Sequence, residues 1–111
     1  MSHNDEAMEQ EIQEKNLEAP RVTLAYINGL MDQMQYRFEQ PPGTTSTFCH
    51  AFLKGSFYLA TGRTACASLA NFDEELGRKY AQQEAAQLAK DKLFELEGYR
   101  LWIDLGGPVN G

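Results

Sequence analysis

The chain has 111 residues with 16 acidic and 10 basic side chains, a formal net charge of −6, which bounds it to one domain with a modest core. The imbalance is local: residues 1–20 hold Asp5, Glu6, Glu9, Glu11, Glu14 and Glu18 against Lys15, whereas residues 21–111 hold ten acids and nine bases. Such a chain lacks the basic footprint of a duplex nucleic-acid reader and has far less acid than a DNA mimic needs. It also has no apolar run long enough for a signal-peptide core or a membrane span, so the expectation is a cytosolic protein with neither nucleic acid nor membrane as partner.

Residues 1–20 are polar and poor in large apolar side chains, which leaves little to offset the entropy lost on ordering them. They read as a flexible acidic arm able to form a nascent helix. From there to residue 105 the pattern is that of a single α+β domain, followed by a flexible tail over 106–111. Thr23 can cap a short helix in which Leu24, Ile27, Leu30 and Met31 form an apolar stripe. In the alternating run that follows, Met34, Tyr36 and Phe38 point one way until Pro41-Pro42-Gly43 stops it, a pattern that predicts an edge strand.

The runs 45–53 and 57–66 are rich in β-branched, aromatic and small residues and are separated by Lys54-Gly55-Ser56, the signature of a β-hairpin. The prediction is a three-stranded antiparallel meander. In its middle strand Phe48, His50 and Phe52 share one face while Thr47, Cys49, Ala51 and Leu53 share the other, so both faces carry apolar groups. Cys49 and Cys66 read as reduced core residues rather than a redox pair. His50 has no second ligand near it, so no metal site is expected.

Asn71 as N-cap, acids at Asp73, Glu74 and Glu75, and no proline before Pro108 predict a helix of about nine turns reaching Asp104 and ended by Gly106-Gly107. At ~100° per residue, Ala81, Ala85, Leu88, Ala89, Leu96, Tyr99 and Ile103 gather on one stripe, and Phe72, Leu76, Phe94 and Leu101 on nearly the opposite one. One small sheet cannot cover two apolar faces. The chain is therefore expected to self-associate as a homodimer or higher oligomer, through this helix or through the second sheet face.

Arg78 projects into the first stripe with Glu74 one turn before it and Lys79 beside it. It can pair with Glu74 as an ordinary ion pair. It can equally serve an anion pocket near a helix N-terminus, with Arg63 at the end of the second hairpin strand as a further donor. An aromatic ring beside such guanidiniums suits a nucleotide, with stacking for the base and charge-assisted hydrogen bonds for the phosphates. No phosphate loop and no nucleophile–base–orienter set is apparent, so no catalytic residues are expected.

Taken together, 45-TSTFC-49, 62-GRTACAS-68, 71-NFDEELGRKYA-81 and 96-LEGYRL-101 resemble the small phage-protein family typified by the gene 49 and gene 66 products of two short-tailed enterobacterial phages, over about residues 22–103. Within or near that family lie the Thoeris anti-defence sponges, phage proteins that sequester the cyclic ADP-ribose signal of bacterial immune TIR enzymes. The resemblance thus implies a non-enzymatic protein of the host bacterial cytoplasm that binds a cyclic nucleotide and needs no cofactor. It places the family's helix-opening arginine at Arg78. It also marks two departures, Gln82 where the family often has a second basic residue and Arg63 where it often has an acid. The expected ligand-binding set is Arg78, Lys79, Arg63, Asn71, Phe48, Phe57, Tyr58 and Gln82. The alternative is a host-takeover protein that binds a bacterial protein and no small molecule.

Overall fold

A computed structural model describes residues 5–15 and 19–107. The elements run α1 (Asp5–Glu14), α2 (Leu24–Met31), β1 (Met34–Glu39), β2 (Ser46–Leu53), β3 (Phe57–Ala65), a 3-10 turn at Leu69–Asn71, and α3 (Glu74–Asp104). The sheet is antiparallel in the order β1-β2-β3, the predicted meander. Lys54 and Gly55 both adopt positive φ at the hairpin turn, +54° and +79°, the left-handed geometry that a tight turn demands and that glycine accepts without strain.

Helix ends follow local chemistry. The Thr23 side chain accepts from the Tyr26 N–H at 3.1 Å and caps α2 as predicted. The cap of α3 is Asp73, whose Oδ1 accepts from the Leu76 N–H at 3.0 Å, not Asn71. The 3-10 turn encloses Asn71, whereas Asp73 is extended (φ −124°, ψ 113°) and aims its carboxylate at the first free N–H groups. At the other end Gly106 (φ +81°) lets its own N–H reach the Ile103 carbonyl and that of Gly107 reach Trp102, the paired bonds of a Schellman stop. The remainder of the predicted tail, 108–111, lies outside the described residues.

One sheet face is covered. Cys49, Ala51 and Ala60 on this face are buried against Ile27 of α2 and against Ala81, Ala85, Ala89 and Leu93 of α3. The helix comes in close because the facing positions lack bulk: a Cβ on Gly62 would strike the backbone of Ala81 and Ala85, and one on Gly77 would lie 2.8 Å from Thr47 Oγ1. The Thr64 hydroxyl donates to the Gly77 carbonyl at 2.9 Å, pinning the first turns of α3 to β3.

This contact line follows the i, i+4 ridge 81–85–89–93, which drifts around the helix relative to the stripe expected from 100° per residue. The predicted first stripe therefore splits. Its alanines face the sheet, while Leu88, Leu96, Tyr99 and Ile103 are exposed. From the second stripe Phe94 packs against the core, and Leu76 stays half-exposed.

The acidic segment read as an unanchored arm forms helix α1 over Asp5–Glu14; residues 1–4 and 16–18 lie outside the described residues. Glu9 Oε1 sits 2.7 Å from Arg21 Nη1 and accepts from the Leu24 N–H at the start of α2. Lys90 Nζ lies 3.5 Å from the buried Asp5. With Ile12 half-buried, α1 thus meets the body along one face, Asp5, Glu9 and Ile12. The attachment depends on Arg21, ahead of α2, and Lys90 on α3, which no local pattern in the segment reveals.

Two outcomes follow from this packing. Gly62→Ala should lower stability by at least about 2 kcal/mol, because the new methyl meets helix backbone rather than a yielding side chain; a thermal melt within a degree of the parent would refute the close approach. The Arg21 guanidinium, ahead of all other causes, holds the Glu9 carboxyl below its ordinary value. A depressed carboxyl contributes stability above its unfolded pKa and loses it as pH falls through the folded one. Glu9→Gln should therefore melt a few degrees below the parent at neutral pH, with the gap closing below the ordinary glutamate pKa of about 4.3.

Candidate ligand-binding surface

The second sheet face is built by alternation and register. Burial along β2 alternates residue by residue, so Phe48, His50 and Phe52 project away from α3, and cross-strand pairing sets Arg63 opposite Phe48, Thr61 opposite His50 and Arg37 opposite His50 on the other side. None of the described helices packs on this face.

The groups there are mutually ordered. The Phe48 and His50 rings lie parallel at 6.5 Å. The Arg37 guanidinium stands 5.2 Å over the Phe52 ring, and Tyr58 meets Phe52 edge-on at 5.7 Å. A polar row crosses the three strands. Tyr58 Oη is 2.7 Å from Thr61 Oγ1, Thr61 Oγ1 is 2.8 Å from His50 Nδ1, and His50 Nε2 is 3.0 Å from Glu39 Oε1. The meander thus assembles a hydroxyl–imidazole–carboxylate row from positions eleven residues apart, which a reading confined to one strand at a time does not bring together. It lies on an open sheet surface.

The expected ligand residues are dispersed. Phe48, Arg63 and Tyr58 share this face, Arg63 and Tyr58 being exposed, and the Arg63 N–H donates to Glu84 of α3 at 2.7 Å. Phe57 sits opposite Leu53 at the hairpin end and is 56% exposed. Arg78 lies in the first turns of α3 and pairs with Glu74 at 3.2 Å. Its groove, about 210 Å³, is lined also by Phe38, Glu39 and Thr47. Glu74 therefore already pairs with that guanidinium, while the Glu39 carboxylate lies 3.0 Å from His50. Lys79 stands 5.4 Å over the Tyr80 ring and shares a shallow groove with Gln82 on the outer side of α3. Asn71 lines a separate apolar groove of about 340 Å³ with Cys66, Phe72, Leu76 and Tyr80.

Arg37, Glu39, His50, Phe52 and Thr61 belong to this face and were not among the expected ligand residues. For His50 and Thr61 the signal is the register of the hairpin turned at Lys54-Gly55-Ser56; for Arg37 and Glu39 it is the separate register of β1 on β2, which that turn does not set.

Burial pushes the Cys49 thiol up to about 11, so it is a packed thiol rather than a nucleophile. The Cys66 Sγ donates to the Ser68 carbonyl at 3.1 Å. Among the described residues no group of three or more His, Cys, Asp or Glu side chains is placed to hold a metal ion. No described helix is long and apolar enough to cross a membrane.

No curated protein and no solved structure matches the chain. A family model does match, over residues 22–105, which takes in α2, the whole sheet and α3 and leaves out α1. The chain belongs to the phage protein family described as N4 Gp49/phage Sf6 gene 66.

Proposed function

We propose that the protein is a phage anti-defence sponge that binds a cyclic nucleotide of the cyclic ADP-ribose class without catalysis, and that the ligand lies on the open sheet face. The observation that supports this reading is the Arg37 guanidinium 5.2 Å over the Phe52 ring, with Arg63 opposite Phe48 in the strand register on the same face. A nucleotide needs both partners, a flat apolar surface for its base and fork-shaped donors for its phosphates. Glu39 is held by His50, which draws the one carboxylate of the row away from an incoming anion. The groove at Arg78 is less suited to an anion, because Glu74 already pairs with its guanidinium.

Non-catalytic binding accords with the same geometry. The hydroxyl of Thr61 and the imidazole of His50 lie within hydrogen-bond reach. They lie, however, on an open sheet face in contact with water, where a nucleophile lacks the water-excluded, preorganised donors that stabilise a developing charge.

Thermal melting with cyclic ADP-ribose isomers and with cyclic di- and trinucleotides tests the proposal. A ligand at a hundredfold over its Kd should add ~2.7 kcal/mol to stability, and heat denaturation should release it chemically intact. Arg63→Ala should weaken binding by about 1.5–3 kcal/mol, and Phe48→Ala by about 1–3 kcal/mol. Loss of affinity in Arg78→Ala, with Arg63→Ala unaffected, would move the ligand to the start of α3. The absence of a shift with every nucleotide, together with specific capture of a host protein, would replace the sponge by the host-takeover reading.

A further inference from the structure

Helix α3 presents a second surface, away from the open sheet face, whose pattern is symmetric under chain reversal. Leu88, Lys92, Glu95 and Tyr99 are all exposed and are spaced four, three and four residues apart. At ~100° per residue this spacing keeps them on one narrow stripe. Read backwards, the spacing is the same, while apolar still falls on apolar and positive falls on negative.

We infer that a second copy of this chain docks here, α3 against α3 in antiparallel orientation, with Leu88 of each copy meeting Tyr99 of the other and Lys92 meeting Glu95. A two-fold axis between Leu93 and Phe94 produces all four contacts at once, as an isologous interface requires.

Charge complementarity and unpartnered apolar area argue for a second copy rather than another occupant. Leu88 is 43% and Tyr99 63% exposed, and Tyr99 lies 6.0 Å from the exposed Trp102 ring. Within one chain Lys92 and Glu95 pair with each other at 3.0 Å, an exposed contact of small value that is readily exchanged for the same pairing between copies.

The neighbouring groove, about 380 Å³, joins Leu88, Asp91, Lys92 and Glu95 to Leu59, Ala60 and Thr61 of β3. β3 is an edge strand of nine residues, with Arg63 as its sole charged residue. Long edges of this kind are normally protected, and a copy seated on the α3 stripe covers this one. The inference does not rest on the ligand reading: none of the four stripe residues lies on the open sheet face, which the groove borders only at Thr61.

Sedimentation equilibrium and light scattering of the full chain at micromolar concentrations test it. The parent should run at twice the 12.5 kDa chain mass. Lys92→Glu sets acid against acid across the axis and should weaken the dimer at least about tenfold, as should Glu95→Lys, while the double exchange Lys92→Glu/Glu95→Lys restores it. In a Cys66→Ser background, Leu88→Cys combined with Tyr99→Cys should oxidise to a covalent dimer. All four positions are exposed, and circular dichroism confirms that each variant is folded. A monomeric parent, or a dimer indifferent to both charge reversals and not trapped by the cysteine pair, would overturn the inference.

Discussion

The structure depends on how closely α3 lies on the sheet at Gly62 and Gly77. At Gly62 backbone meets backbone, since the space that a Cβ would occupy is taken by Ala81 and Ala85, and at Gly77 the space is taken by the Thr47 side chain. An ordinary helix–sheet layer is spaced by branched side chains, whereas this one is spaced by glycine, alanine, cysteine and threonine. The largest fully buried side chains are accordingly few, Ile27, Leu93 and Cys49. A core of this kind gains its stability from density of contact rather than from buried area, so it tolerates little added volume.

Close packing on one side has consequences for the others. Because the helix meets the sheet along small residues, its larger apolar residues have no place between the layers and are turned outward, as the exposure of Leu88, Leu96, Tyr99 and Trp102 shows. Because α2 and α3 share the same sheet face, the opposite one keeps its aromatics uncovered. The two exposed surfaces differ in chemistry. The helix stripe is apolar with alternating charge and suits protein. The sheet face is aromatic with guanidiniums and a hydrogen-bonded polar row, and suits a planar anionic ligand.

Electrostatics plays a secondary part in holding the body together. The Arg78–Glu74, Lys92–Glu95 and Arg100–Glu97 pairs are all one-turn helix contacts at the surface, of a kind worth a few tenths of a kcal/mol each. The pairs that join remote segments matter more to the architecture. Glu9 reaches Arg21 and the first N–H of α2, and Lys90 reaches Asp5, so a segment with little to bury is fastened by one charge just ahead of α2 and one on α3.

Local chemistry alone determined the elements of this protein. Thr23 caps because its hydroxyl reaches an orphan N–H, Lys54-Gly55-Ser56 turns because a glycine accepts positive φ, and β2 divides its faces because strand side chains alternate. These are interactions between residues a few positions apart, and they are legible in one dimension. The tertiary structure alone decided which of α3's apolar residues are buried, since that follows from the roll of the helix on Gly62 and from a ridge that drifts with each turn. Two outcomes are local in kind: Asp73 rather than Asn71 caps α3 because the chain first closes a 3-10 turn, and Arg78 pairs with Glu74 one turn before it. The tertiary structure also decided that Arg37 stands over Phe52 and that Glu39, His50 and Thr61 join in one row. Each of these tertiary outcomes depends on distances between segments remote in sequence, set by strand register and helix placement, and a periodicity read along the chain carries no information about either.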